Sequence, residues 1–232
     1  VARQIAEAYA LERYVDAQSG GPGRGWLRIV TTPEDARRVI ELLSSSLSVN
    51  PPTTVVVELL ERVARDAADH GALLVALVHG ARLGSANLTD LHDGVELARE
   101  AGDGATEDTL LSSAVKLAED TGQVGDAIWA VSALATSFEK RGDARAAARL
   151  LERSIPHAQS EDAFELRLRL AGLAQDELGD LVLAASTYES LLEEEPTNVR
   201  VWRPLFDVYR RSGQRKELEE RISAVERAVD DP

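Results

Sequence analysis

The chain has 232 residues, with 40 acidic against 26 basic side chains and a formal charge of −14. That balance argues against nucleic acid and against anionic membrane surfaces, since both are gripped through basic footprints that release phosphate counterions. With no cysteine there are no disulfides, thiolate metal ligands or thiol catalysis, and no run approaches the ~18 apolar residues of a membrane span. Apolar residues make up 44% but aromatics only 4%, so alanine and leucine supply the burial, as stacked helices prefer. Arginine far outnumbers lysine and the chain does not begin with methionine. Both features suggest a segment of a larger protein from a GC-rich bacterial genome, expected in the cytoplasm with the periplasm left open.

Residues 2–16 have an apolar side built on Ile5, Tyr9 and Leu11 and predict a helix. A Gly-rich loop follows at 17–32. It lacks the Gly-Lys-Ser/Thr ending of a phosphate cradle, since Trp26 follows Gly25. Thr32-Pro33 opens a second helix, whose stripe is Ala36, Val39, Ile40, Leu43 and Leu47. Asn50-Pro51-Pro52 ends it. The next helix, about 54–69, carries Val56, Leu59, Leu60 and Val63, and His70-Gly71 is read as its turn. Residues 72–83 are nearly all apolar and predict a helix buried on several sides. Residues 87–101 form the following helix, and Thr106 is read as the cap of one over 107–120. Helices at about 126–141, 144–159, 163–178, 181–195, 199–212 and 215–230 complete twelve, paired in order as six antiparallel hairpins. The last reads as a terminal cap, with Leu218, Ile222, Val225 and Val229 on one narrow stripe and charge elsewhere.

The later hairpins repeat one another. Gly179 and Gly213 stand 34 residues apart. With that glycine as position 15, one unit spans 165–198 and has Gly172 at 8, Ala184 at 20, Tyr188 at 24 and Pro196 at 32. The next begins at Val199 and has Trp202 at 4, Leu205 at 7 and Tyr209 at 11. Upstream, Gly142 sets a looser copy with Leu134 at 7, Ala135 at 8, Phe138 at 11 and Ala147 at 20. This pattern resembles the tetratricopeptide repeat family, a 34-residue helix-turn-helix unit, most clearly over 128–232.

The resemblance implies an all-α superhelical solenoid. Residues 126–232 would hold three repeats (about 128–164, 165–198 and 199–232). Residues 1–125 would hold degenerate repeats, or a helical cap of another kind. It also implies that Gly172 and Ala184 meet where the two helices of a unit cross. Positions 2, 5, 9, 12 and 13 would face a concave groove. Carried onto this chain, they give a partner-binding set of Trp129, Leu166, Arg169, Leu173, Arg200, Arg203 and Arg210. The family's clamp for a peptide carboxylate, Lys at 5 and Asn at 9, is missing. The arginines instead suggest an acidic or phosphorylated segment, steered to one wall of an acidic chain. Alternatively they pair with Asp176, Glu177 and Asp207 as a surface network.

No catalytic constellation is legible. His70, His79, His92 and His157 are scattered, none is four residues from another, and no nucleophile elbow occurs. No metal, cofactor or enzymatic activity is expected. The function read from the sequence is an adaptor or scaffold segment that binds a protein or peptide in the groove. A regulatory domain that senses a ligand or peptide, enclosing it around residues 72–83, is the alternative. Exposure of Trp26 and the valine run 55–57 would allow a homodimer through the N-terminal half.

Overall fold

The computed structural model describes residues 33–49 and 53–214, with Lys216, Glu219, Glu220, Ile222 and Ser223 beyond them. Among these residues every regular element is helical. Five helices come first: α1 (Pro33–Val49), α2 (Thr54–Ala67), α3 (His70–Leu83), α4 (Leu88–Glu100) and α5 (Gly104–Thr121). Five more follow: α6 (Ile128–Lys140), α7 (Ala144–Ser154), α8 (Ser160–Leu173), α9 (Leu181–Glu194) and α10 (Val199–Ser212). They fall into two compact units that divide between Leu117 and Ala118. The helix expected at 2–16, the Gly-rich loop with Trp26, the Asn50-Pro51-Pro52 stop and the stripe residues Leu218, Val225 and Val229 lie outside the described residues.

In the first unit one apolar cluster joins Ile40, Leu43 and Leu47 of α1 to Val57, Leu60 and Ala64 of α2 and Ala76 of α3. Each fully buried leucine contributes about 1.5–3 kcal/mol. Three details differ from the sequence reading. The turn between α2 and α3 is Ala68-Asp69, not His70-Gly71. Ala68 takes the left-handed conformation, and the Asp69 carboxylate accepts from Ala72 N–H at 2.9 Å, so α3 begins at His70. Asp103, rather than Thr106, caps α5 by accepting from the Thr106 N–H and hydroxyl. And α3 buries one face only: Ala72, Ala76, Leu77 and Gly80 point inward, while Val75 and Leu83 are exposed. Of the valine run, Val56 and Val57 are core and Val55 alone is exposed.

The second unit repeats one joint. Gly142, Gly179 and Gly213 all take positive φ (75°, 67° and 75°) and end α6, the α8 segment and α10. Only glycine adopts that conformation without a Cβ penalty. After the first two, an aspartate starts the next helix: Asp143 accepts from Ala146 N–H at 3.0 Å, and Asp180 from Leu183 N–H at 3.0 Å. Around these joints Phe164, Ala171, Ala174, Ala184, Tyr188, Leu191, Val201, Leu205, Val208 and Tyr209 form a second cluster.

One joint is longer than the others. The residue after Gly142 reaches back five positions, Asp143 N–H to Phe138 O at 2.9 Å, and Gln214 N–H to Tyr209 O repeats this at 2.9 Å. At the middle joint Asp180 N–H reaches back six, to Ala174 O at 2.8 Å, because Ala174–Leu178 form a single π turn. Such a turn accommodates one extra residue in a helix. Counting back from Gly179 therefore misplaces everything before it by one. Ala171, fully buried, takes the small-residue position beside α9 that the count assigned to Gly172. A Cβ on Gly172 would meet only the Tyr188 hydroxyl, at 3.9 Å. The expected Gly172–Ala184 approach is corrected to Ala171.

Candidate partner-binding site

Helices α6, α8 and α10, the first helices of the three units expected from the sequence, carry the candidate site. Where they converge lies an open cavity of about 270 Å3 lined by Ser132 of α6, Glu165, Leu166, Leu168 and Arg169 of α8, and Arg200 of α10. The shifted register explains the lining. With one residue added, Glu165 takes position 2, as Arg200 does, and Leu168 takes position 5, as Ser132 does. Arg169 moves to position 6.

That move changes what Arg169 does. Its Nε donates to Glu139 Oε1 at 2.8 Å, its Nη1 to the Ser132 carbonyl at 2.9 Å and its Nη2 to Thr136 Oγ1 at 2.7 Å. All three nitrogens donate to α6, so Arg169 ties two first helices together. Arg167, on another side of α8, grips Glu194 of α9 through both Nη atoms at 2.6 and 2.8 Å. Arg200 grips Glu165 in the same two-pronged way at 2.6 and 2.7 Å. These forks hold the Glu165 and Glu194 carboxyls below the ordinary glutamate value, the hydrogen bonds from the guanidinium being the main cause.

The π turn serves the next helix as well. Gln175, buried beside it, donates from Nε2 to Asp207 Oδ2 at 3.2 Å, and its carbonyl accepts from Arg211 Nη2 at 3.1 Å. Arg211 also pairs with Asp176 at 3.7 Å, and Arg210 with Asp207. Burial, reinforced by Asp176, pushes the Tyr188 phenol up to about 12.

The predicted set is thus divided. Leu166, Arg169 and Arg200 line the cavity together, whereas Trp129, Leu173, Arg203 and Arg210 do not. Leu166 and Leu173 are 3% and 8% exposed. The apolar patch expected from them is instead core, because the one-residue shift turns both inward. Trp129 is half-buried and engaged within the chain. Arg210 is exposed and held by Asp207. Arg203 is exposed and makes no ion pair or hydrogen bond among the described residues. Of the proposed acidic partners, Asp207 pairs with Arg210, as the surface-network alternative expected, and Asp176 pairs with Arg211, outside the predicted set, while Arg169 and Arg200 pair with Glu139 and Glu165. Glu165 and Leu168 are the lining residues that the sequence reading did not place in the groove, whereas Ser132 lies there as its position 5 implies.

Among the described residues no group of three or more His, Asp or Glu side chains could hold a metal ion, and no helix is long and apolar enough to cross a membrane. His79 Nδ1, in α3, is buried without a hydrogen-bond partner, and desolvation lowers its pKa below the ordinary histidine value.

The left-handed glycine that ends each first helix, the aspartate that starts the next helix after two of them, and small or apolar residues recurring at matching depths define the unit. These hairpins resemble the tetratricopeptide unit in fold. No protein-family model matches the sequence, and no curated protein matches it. Among solved structures, the chain is similar to a crystal structure of MamA at 16% identity, over 74% of this chain and 95% of that one, with a TM-score of 0.49. It is similar to the nearly identical TPR-like repeats of a putative kinesin light chain from Podosopora anserina at 20% identity, over 87% and 97%, with a TM-score of 0.47. It is also similar to YrrB, described as a TPR protein with an unusual peptide-binding site, at 15% identity, over 83% and 94%, with a TM-score of 0.49.

Proposed function

We propose that residues 126–232 are a protein-interaction module of three repeats, and that they take a segment of a partner protein across α6, α8 and α10. The chain acts as an adaptor or scaffold. The observation that carries this reading is the open cavity to which all three first helices contribute a side chain. An open wall suits an extended segment, whereas a small-molecule sensor calls for an enclosed pocket that buries most of its ligand. The net charge of −14 favours a protein partner over nucleic acid.

A photo-crosslinking amino acid placed at Ser132, on the cavity wall, tests the proposal against the same group at Arg145, exposed on α7. In cells that make the protein, the Ser132 probe is expected to trap a discrete partner that the Arg145 probe does not. Identical products from both positions, or none from Ser132, would remove the groove as the binding surface.

A further inference from the structure

We infer that Glu165 occupies, in the free protein, the place a carboxylate of the partner takes in the complex. The groove is masked by its own side chain and selects a segment that sets an acidic residue beside an aliphatic one. This rests on the groove reading above.

The geometry of the Glu165–Arg200 pair carries the inference. Two guanidinium nitrogens meet two carboxylate oxygens at 2.6 and 2.7 Å across 35 residues of sequence. Arginine recognises a carboxylate on any ligand with this same fork. The pair is open to water, with Arg200 60% and Glu165 50% exposed, and ion pairs so placed hold weakly and exchange readily. Beneath it lies the half-buried Leu168, backed by the buried Leu166, so a carboxylate arriving at Arg200 brings its neighbouring side chain against a small apolar floor.

The other cations divide by availability. Arg169 is tied down, since Nε, Nη1 and Nη2 each donate to α6 and leave only one N–H on each Nη. Arg203 lies one turn beyond Arg200 on the same side of α10, exposed and unpaired among the described residues. Once Glu165 swings away, Arg200 and Arg203 present two adjacent positive charges on a chain of net charge −14, where a local cationic spot focuses anionic ligands.

Glu165→Gln unmasks Arg200 while keeping a side chain of the same size. The test uses the full chain and two fluorescein-labelled hexapeptides, Ser-Leu-Glu-Leu-Glu-Ser and its neutral twin Ser-Leu-Gln-Leu-Gln-Ser, followed by anisotropy. Glu165→Gln is expected to bind the acidic peptide about fivefold more tightly than wild type, the scale of one exposed ion pair, with the neutral peptide unchanged. Adding Arg200→Gln should cancel the gain, and Glu165→Asp, which shortens the mask, should give part of it. An unchanged acidic affinity, an equal gain for both peptides, or no binding of either peptide to wild type or variant would overturn the masking. A crosslinked partner at Ser132 that persists alongside any of these results would leave the groove reading standing without it.

Discussion

In the first unit Arg65 of α2 faces Glu61, Asp90 and Asp93, each at 3.2 Å. In the second, Arg167, Arg169 and Arg200 each take a separate carboxylate from a different helix. In the first unit Glu61 stands above the ordinary glutamate value of 4.5. Burial is the main cause and Asp90 adds to it, against the pull of Arg65. One cation per anion does the opposite to Glu165 and Glu194. The glycines contrast in the same way. A Cβ on Gly94 of α4 would stand 3.0 Å from Leu110 Cδ1 and 3.4 Å from Leu77 Cβ, both on fully buried leucines. A Cβ on Gly172 of α8 would meet nothing nearer than the Tyr188 hydroxyl at 3.9 Å. Gly94 lets α4 close on its neighbours, whereas α8 meets its own through Ala171 and arginine forks. The close glycine of the second unit is Gly125, outside α8, where a Cβ would stand 3.1 Å from the His157 carbonyl oxygen.

The largest expected effect that tests this contrast is Ala171→Leu. Overpacking a fully buried alanine between α8 and α9 should lower stability in urea titration by about 1–3 kcal/mol. Arg169→Ala comes next. Removing a guanidinium that satisfies three acceptors on α6 should cost about 1–3 kcal/mol, whereas Arg203→Glu should leave the unfolding midpoint where it is. If both behave alike, Arg169 is not the tie between α6 and α8. Smaller are two glycine replacements of opposite sign. Gly94→Ala should destabilise, because the buried leucines cannot give way. Gly172→Ala should stabilise by about 0.5–1 kcal/mol through helix propensity alone.

Smallest is the pH response, where the two units should slope in opposite directions. Glu61, whose folded pKa is raised, binds a proton more tightly in the folded state. Its contribution therefore falls as pH rises from 4.5 through the folded value. Glu165 and Glu194, whose folded values are depressed, contribute fully above 4.5 and lose that contribution as pH falls through their folded values. Stability titrations of Glu61→Gln and Glu165→Gln should each flatten a different limb. If both flatten the same one, the contrast in charge pairing fails.

Much of this was legible in advance. The glycines at 142, 179 and 213, the apolar stripes of α1 and α2 and the hairpin rhythm follow from residue types whose conformational needs are narrow. The caps at Asp69 and Asp103 were missed because a carboxylate that caps a helix looks like any polar residue until its acceptor geometry is seen. The cavity lining was misassigned by one residue for a traceable reason. Counted by glycines, α6 and α8 are offset by 37. Counted by apolar type they are offset by 36, matching Ile128 with Phe164, Leu134 with Leu170 and Ala135 with Ala171. From α8 to α10 the glycine offset is 34, while Leu170 with Leu205 and Ala174 with Tyr209 give 35. Both mismatches put the extra residue between Ala174 and Gly179, where the π turn lies. A stripe is fixed by what it packs against and a glycine only by where its helix ends, so the stripe was the better ruler.

Because the chain has no cysteine, a single introduced thiol reports its own exposure, and labelling rates along α8 measure the register directly. Cysteines at Glu165 and Asp176 should react quickly and those at Leu166, Leu173 and Ala174 slowly, as the one-residue shift requires. Labelling at Leu173 as fast as at Asp176 would contradict the shift, and the cavity built from Glu165, Leu168 and Arg200 would go with it.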